Sequence, residues 1–180
     1  MQLRQTRLVA AVVVALLAQA VIAVGPAVPA RAEVPTAVER LAGGDRIETA
    51  IAVSKEQFPA GADAAVLARA DDFADALAGG PLAADLHGPL LLTGGGELDS
   101  RVAAELQRVV PPGGAVRVLG GGQALSASVE ASVIGLGFAV QRIHGGTRYE
   151  TAVAIADAID PESLIIATGT NFPDALSGGA

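Results

Sequence analysis

Asp71, Asp72 and Asp75 place three carboxylates close together in the sequence. Such a cluster suits a cation site, a catalytic carboxylate pair, or the start of a helix. The same positions recur further along as Thr170, Asn171 and Asp174. Only one acid survives there, which argues against a metal site common to both occurrences. Capping by Asp72/Asn171 and Asp75/Asp174 is the simpler account, and ligand contact is the alternative. Two arginines also recur, Arg40 as Arg142 and Arg46 as Arg148. Arg46 and Arg148 fall in the first turn of predicted helices, where the dipole gains nothing from a cation. Each therefore needs another partner, either an internal carboxylate such as Asp75 or an external anion.

Other chemistry finds little support. Gly120-Gly-Gly-Gln-Ala-Leu125 lies between a predicted strand and helix, but Leu125 stands where the third glycine of G-x-G-x-x-G belongs. A tight turn is therefore the favoured reading over a phosphate cradle. No P-loop, G-x-S-x-G or H-E-x-x-H occurs, and no cofactor is implied. The absence of cysteine removes thiolate chemistry and Cys-based metal sites. His144 matches Ala42 of the earlier occurrence, and His87 precedes Gly88-Pro89 at a helix end; both read as surface or cap residues. Aromatics make up 3% of the chain and the net charge is -7. These values disfavour a stacking platform or a phosphate-held nucleic-acid interface.

The elements that position these residues come in duplicate. Arg40–Ser54 aligns with Arg142–Ala156 at an offset of 102, and Ala64–Pro81 with Ser163–Ala180 at an offset of 99. That period is domain-sized, well beyond the roughly 20–50 residues of solenoid repeats. The second copy runs to Ala180, just past the start of its second helix, and the chain is expected to be the front end of a longer protein.

Within a copy, Val38–Leu41 predicts a short strand. Capping boxes at Asp45-x-x-Glu48 and Thr147-x-x-Glu150 open helices over Ile47 to Gln57 and Tyr149 to Ala158. Ala64–Ala68 and Leu164–Ala167 predict buried strands, each leading into a helix capped by Asp72 or Asn171. Leu90–Thr93, Val116–Leu119 and Ala139–Arg142 predict further strands, alternating with helices over Asp99–Val109 and Ser126–Leu136. Strands that are apolar on both faces and alternate with helices make an α/β fold, a parallel sheet covered on both sides. Ligands of such folds sit outside the carboxyl ends of the strands.

Residues 1–32 read as a secretory signal peptide: Arg4 and Arg7, an apolar run over Leu8–Val24, then Ala30-Arg31-Ala32 as the cleavage site. The competing reading is a membrane anchor, since the run is near the lower length limit for spanning. Cleavage removes three of the twelve Lys and Arg and none of the nineteen Asp and Glu, leaving a formal charge of -10. The expected domains are the signal peptide, a first module over 33–141 and the truncated start of a second over 142–180.

At GGDRIETA, ADDFADALAGGPLAADLHGPLLLTG, VRVLGGGQALS and RIHGGTRYETA the chain resembles the type-2 cell wall-binding repeat family of Gram-positive surface proteins. Ala74 departs from the family's F-P-D-A-L form, which Pro173 keeps, and Ile47 stands where Tyr149 is more usual. The resemblance implies a Rossmann-like sandwich without catalysis, in tandem sets packed about a pseudo-threefold axis. Its implied partners are neighbouring modules and an anionic secondary polymer of the wall, with no nucleic acid and no membrane after cleavage. The candidate ligand contacts are Arg46, Thr49, Asp72 and Asp75, with Arg148, Thr151, Asn171 and Asp174 as counterparts. Two alternatives stand beside this reading. One is the targeting part of an amidase-like wall hydrolase; the other is a protein–protein assembly module using Pro89–Leu92.

Overall fold

A computed structural model describes residues 39–178. The expected signal peptide, Val38, Gly179 and Ala180 lie outside the described residues. The elements run α1 (Arg46–Gln57), β1 (Ala64–Arg69), α2 (Ala74–Asp85), β2 (Leu90–Thr93), α3 (Ser100–Val109), β3 (Ala115–Leu119), α4 (Ala127–Gly135), β4 (Ala139–Ile143), α5 (Arg148–Ile159) and α6 (Pro173–Gly178). The strands form one parallel sheet in the order β2-β1-β3-β4. Val66 lies opposite Leu90 on one side, and Ala65 opposite Val116 on the other.

Alternation along β1 divides the core in two. Ala65 and Leu67 face α1, α3 and α4, meeting Ile51, Val102, Leu106 and Val129. Val66 and Ala68 face α2 and α5, meeting Leu82, Leu119 and Ile155. The result is a three-layer, Rossmann-like sandwich. Its second helical layer comes partly from the second copy, because α5 packs beside α2 on the first copy's sheet. Gly79 permits that layer to sit close: a Cβ there would run into the Leu119 side chain.

Capping and charge fix the helix starts. Asp45 and Thr147 accept from the amides of Glu48 and Glu150 at 2.8 and 3.2 Å. Glu48 and Glu150 each accept the amide of the second turn glycine, Gly44 and Gly146, at 2.7 Å, and Glu150 also closes its box on the Thr147 amide at 3.0 Å. Arg101 ties α3 to α1 by donating to Asp45, Glu48 and Asp99. Under α1, the buried Ser54 hydroxyl donates to the buried Glu105 carboxylate at 2.6 Å, and Arg108 donates to the same carboxylate at 2.7 Å. Burial alone would raise the Glu105 carboxyl, but these hydrogen bonds outweigh it and hold the group below its ordinary range.

Two expected strands do not form. Residues 39–41 carry no strand. Leu164–Ala167 is also irregular, and Leu164, Ile165 and Ile166 are exposed, Ile166 at 94%. The matching Ala64–Arg69 is a strand because β2 and β3 flank it. No strand lies beside Leu164–Ala167 among the described residues, and hydropathy without a ladder partner does not make a strand.

Candidate functional site

The winding of the sheet reverses at β1, which has β2 on one side and β3 on the other. Outside the carboxyl ends of β1, β3 and β4 lies a cleft of about 340 Å³, where a switch point of this fold takes ligands. Three loops build it. The turn after β1 contributes Arg69, Asp72 and, from the first turn of α2, Asp75; the glycine turn after β3 contributes Gly121 to Ala124. The Gly145-Gly146 turn after β4 leads into Thr147, Arg148 and Thr151 of the second copy. Both copies thus contribute to one cleft.

Its polar groups are largely committed. Arg69 donates in a bidentate fork to Asp71, at 2.6 and 2.7 Å. That contact holds the Asp71 carboxyl below its usual range. Asp72 accepts the Phe73 amide at 2.7 Å and the Ala74 amide at 3.4 Å. Asp72 is not the N-cap expected of it: Phe73 holds that position without a side-chain cap bond, and Asp72, one residue earlier, takes the amides of Phe73 and Ala74. Asn171 accepts the Phe172 amide at 2.9 Å in the same way. Asp75 does not cap: among the described residues its carboxylate has no hydrogen-bond donor. It is half-buried, and a Cβ on Gly120, whose φ is +85°, would strike its Oδ2. Burial, and then the charge of Asp72, push the Asp75 carboxyl above its ordinary range, with Arg69 and Arg148 opposing.

The repeated arginines share a partner that charge counting does not suggest. Arg46 donates to the Ala70 carbonyl at 2.6 Å and Arg148 to the Gly169 carbonyl at 3.0 Å, the same bond in each copy. The acid next to Arg148 is Asp72 of the other copy, at 3.3 Å, in place of the expected Asp75. The Arg148 guanidinium also lies 5.5 Å from the centre of the Phe73 ring, which meets Phe172 edge-on at 5.9 Å. Thr49 and Thr151 bind the preceding glycine turns, accepting the Gly43 and Gly145 amides at 3.1 and 3.0 Å.

Of the eight candidate residues, Asp72, Asp75, Arg148 and Thr151 line the cleft; Arg46, Thr49, Asn171 and Asp174 do not. Arg69 escaped the sequence search because its counterpart is Thr168, so no repeat marked it. The Gly120 segment is a turn, with the Ala124 amide bonded to the Gly121 carbonyl at 2.9 Å. Pro89–Leu92 enters the sheet as β2, with Leu91 fully buried.

A parallel α/β sandwich that completes its layers and its cleft with the next copy of the same sequence is a repeat-built binding module. Comparison with known proteins gives the family. The chain belongs to Cell wall binding domain 2 (CWB2), whose model matches residues 40–130 and 142–180. It is 32% identical over 148 residues to the N-acetylmuramoyl-L-alanine amidase LytC of Bacillus subtilis, covering 79% of this chain and 29% of the relative. It is 33% identical over 140 residues to the amidase enhancer of the same organism, covering 77% and 19%. Among solved structures, Cwp6 from Clostridium difficile matches with a TM-score of 0.63 at 28% identity, covering 71% of this chain and 22% of that one. Cwp8 from the same organism matches at 0.62 and 35%, covering 65% and 20%. The chain thus spans less than a third of the length of these relatives.

Proposed function

We propose that this chain is a noncatalytic module that holds an exported protein on an anionic secondary polymer of the cell wall, the polymer entering the cleft between the copies. Membership of a cell wall-binding family supports the wall as target. The observation that carries the site is the cleft at the switch point, where Arg148 of one copy meets Asp72 of the other and Asp75 lines the same wall. With a mature charge of -10 expected from the sequence, general attraction to an anion is excluded, and binding rests on local contacts at Arg148 and Arg69. Linked copies then add effective concentration to weak individual sites. The relatives' names favour a companion reading, that the chain is the targeting part of a wall amidase or of a protein that assists one.

The test is cosedimentation of the mature chain with isolated walls, before and after chemical stripping of the secondary polymers. Retention is expected on intact walls, with loss after stripping and weakening by Arg148→Ala. Retention that survives both the stripping and the substitution refutes the polymer as ligand.

A further inference from the structure

Among the described residues, one carboxylate that lines the cleft takes no hydrogen bond from the fold. Asp72 takes the amides at the start of α2, Asp71 takes Arg69, and Arg148 is held by Gly169 and Asp72. Asp75 has no such employment. Its carboxylate is half-buried against Gly120, has no donor among the described residues, and sits near the like charge of Asp72. Burying a charge without a hydrogen bond costs stability, yet both copies carry an acid here, Asp75 and Asp174. A group that the fold pays to keep in a cleft is a candidate for function. The cleft, about 340 Å³, falls at the lower end of small-ligand sites, roughly 300–1,000 Å³. It therefore accepts a short stretch of a polymer and not a folded partner.

We propose that Asp75 is the specificity-determining residue of this cleft, its carboxylate accepting hydrogen bonds from hydroxyl or amino groups on a sugar ring of the wall polymer. The proposal rests on the wall-binding reading and adds a requirement to it. The polymer segment in the cleft carries hydrogen-bond donors beside its anionic groups, the donors facing Asp75 and the anions facing Arg148. A polymer segment that is anionic throughout would be repelled by Asp75.

The test is Asp75→Asn in the mature chain, which keeps the shape of the side chain and removes its charge. Cosedimentation with isolated walls is expected to fall by about tenfold or more, as loss of charge-assisted hydrogen bonds would cause. The urea midpoint is expected to stay level or rise. Asp85→Asn, at an exposed position at the end of α2, changes neither quantity. Acetylating the free amines of the walls identifies the donor: wild-type retention falls to the Asp75→Asn level if amines serve, and is unchanged if hydroxyls do. Retention of Asp75→Asn equal to wild type overturns the proposal and leaves wall binding standing. So does a drop in stability accompanying the loss of binding, which would make Asp75 a structural residue. Retention that is abolished by a chelator in the wild type overturns it as well, since a cation would then occupy the carboxylate. Failure of the wild type itself to sediment with walls refutes the wall-binding reading.

Discussion

The sharpest energetic consequence concerns one repeat position used in two opposite ways. Ile51 in α1 is buried under the first copy's sheet, while its counterpart Val153 in α5 is 60% exposed. Two residues on, Ile155 is 2% exposed against Leu82 and Leu119, while its counterpart Val53 is only partly buried. The two helices therefore present different faces to the same sheet. Ile155→Ala removes three buried carbons at about 0.8 kcal/mol each and leaves a cavity, for a loss of about 3 kcal/mol. Ile51→Ala is expected to cost a similar amount. Val153→Ala changes an exposed site and is expected to stay within about 0.5 kcal/mol. Urea unfolding followed by circular dichroism reads the difference. With a slope of about 2 kcal/mol/M, Ile155→Ala lowers the midpoint by about 1.5 M and Val153→Ala scarcely moves it. Equal shifts for Ile155→Ala and Val153→Ala would refute the docking of α5 on the first copy's sheet.

Three further outcomes follow from the geometry. Ser54→Ala removes the hydroxyl donated to buried Glu105 and is expected to cost about 2 kcal/mol in urea unfolding, the worth of a hydrogen bond to a charged group. Gly43→Ala and Gly145→Ala each drive a methyl group into the Glu48 or Glu150 side chain; both are expected to lower stability by about 1–3 kcal/mol, and a neutral result at either would refute the shared turn geometry. In acid, Asp45, Asp99 and Glu105 have carboxyls held below their ordinary range. Their contribution is present above the unfolded values near pH 4 and lost as pH falls through the folded ones. Asp75 has the opposite sign: its raised carboxyl adds stability as it takes up a proton. The urea midpoint is therefore expected to hold or rise slightly from pH 7 toward its raised value, then fall below about pH 4. The rise should be missing in Asp75→Asn; a midpoint already falling between neutrality and pH 5 would contradict these directions.

Much of the scaffold was legible because local chemistry and burial agreed. Strand β1 and helix α3 follow from an apolar run and from helical spacing, and the Asp45 and Thr147 caps follow from single side chains. Leu164–Ala167 shows where that logic stops: its composition matches a strand, but strand formation depends on neighbours that local sequence does not specify. The arginines show a different limit. Repetition marks Arg46 and Arg148 as equivalent, and both make the same bond, but the acceptors are backbone carbonyls at Ala70 and Gly169, and a carbonyl carries no opposite charge to point to it. Repetition also hid Arg69, whose place in the cleft depends on the end of β1 and not on a shared residue. Position in the first turn of a helix makes a cap the simpler sequence expectation for Asp75 and ligand contact the alternative; in the structure Asp72 takes the amides at the start of α2 and Asp75 lines the cleft.

The helix that α5 lends to the sheet before it sets the unit of inheritance apart from the unit of folding. A cut placed where the sequence begins to repeat, at Arg142, would separate Leu82 and Leu119 from Ile155, their cover. Exchange of modules between genes, or their transplantation by design, keeps the apolar surface closed only if the splice falls beyond α5. The segment that such a transfer should carry is thus staggered, its boundary falling one helix later than that of the repeat that the eye picks out.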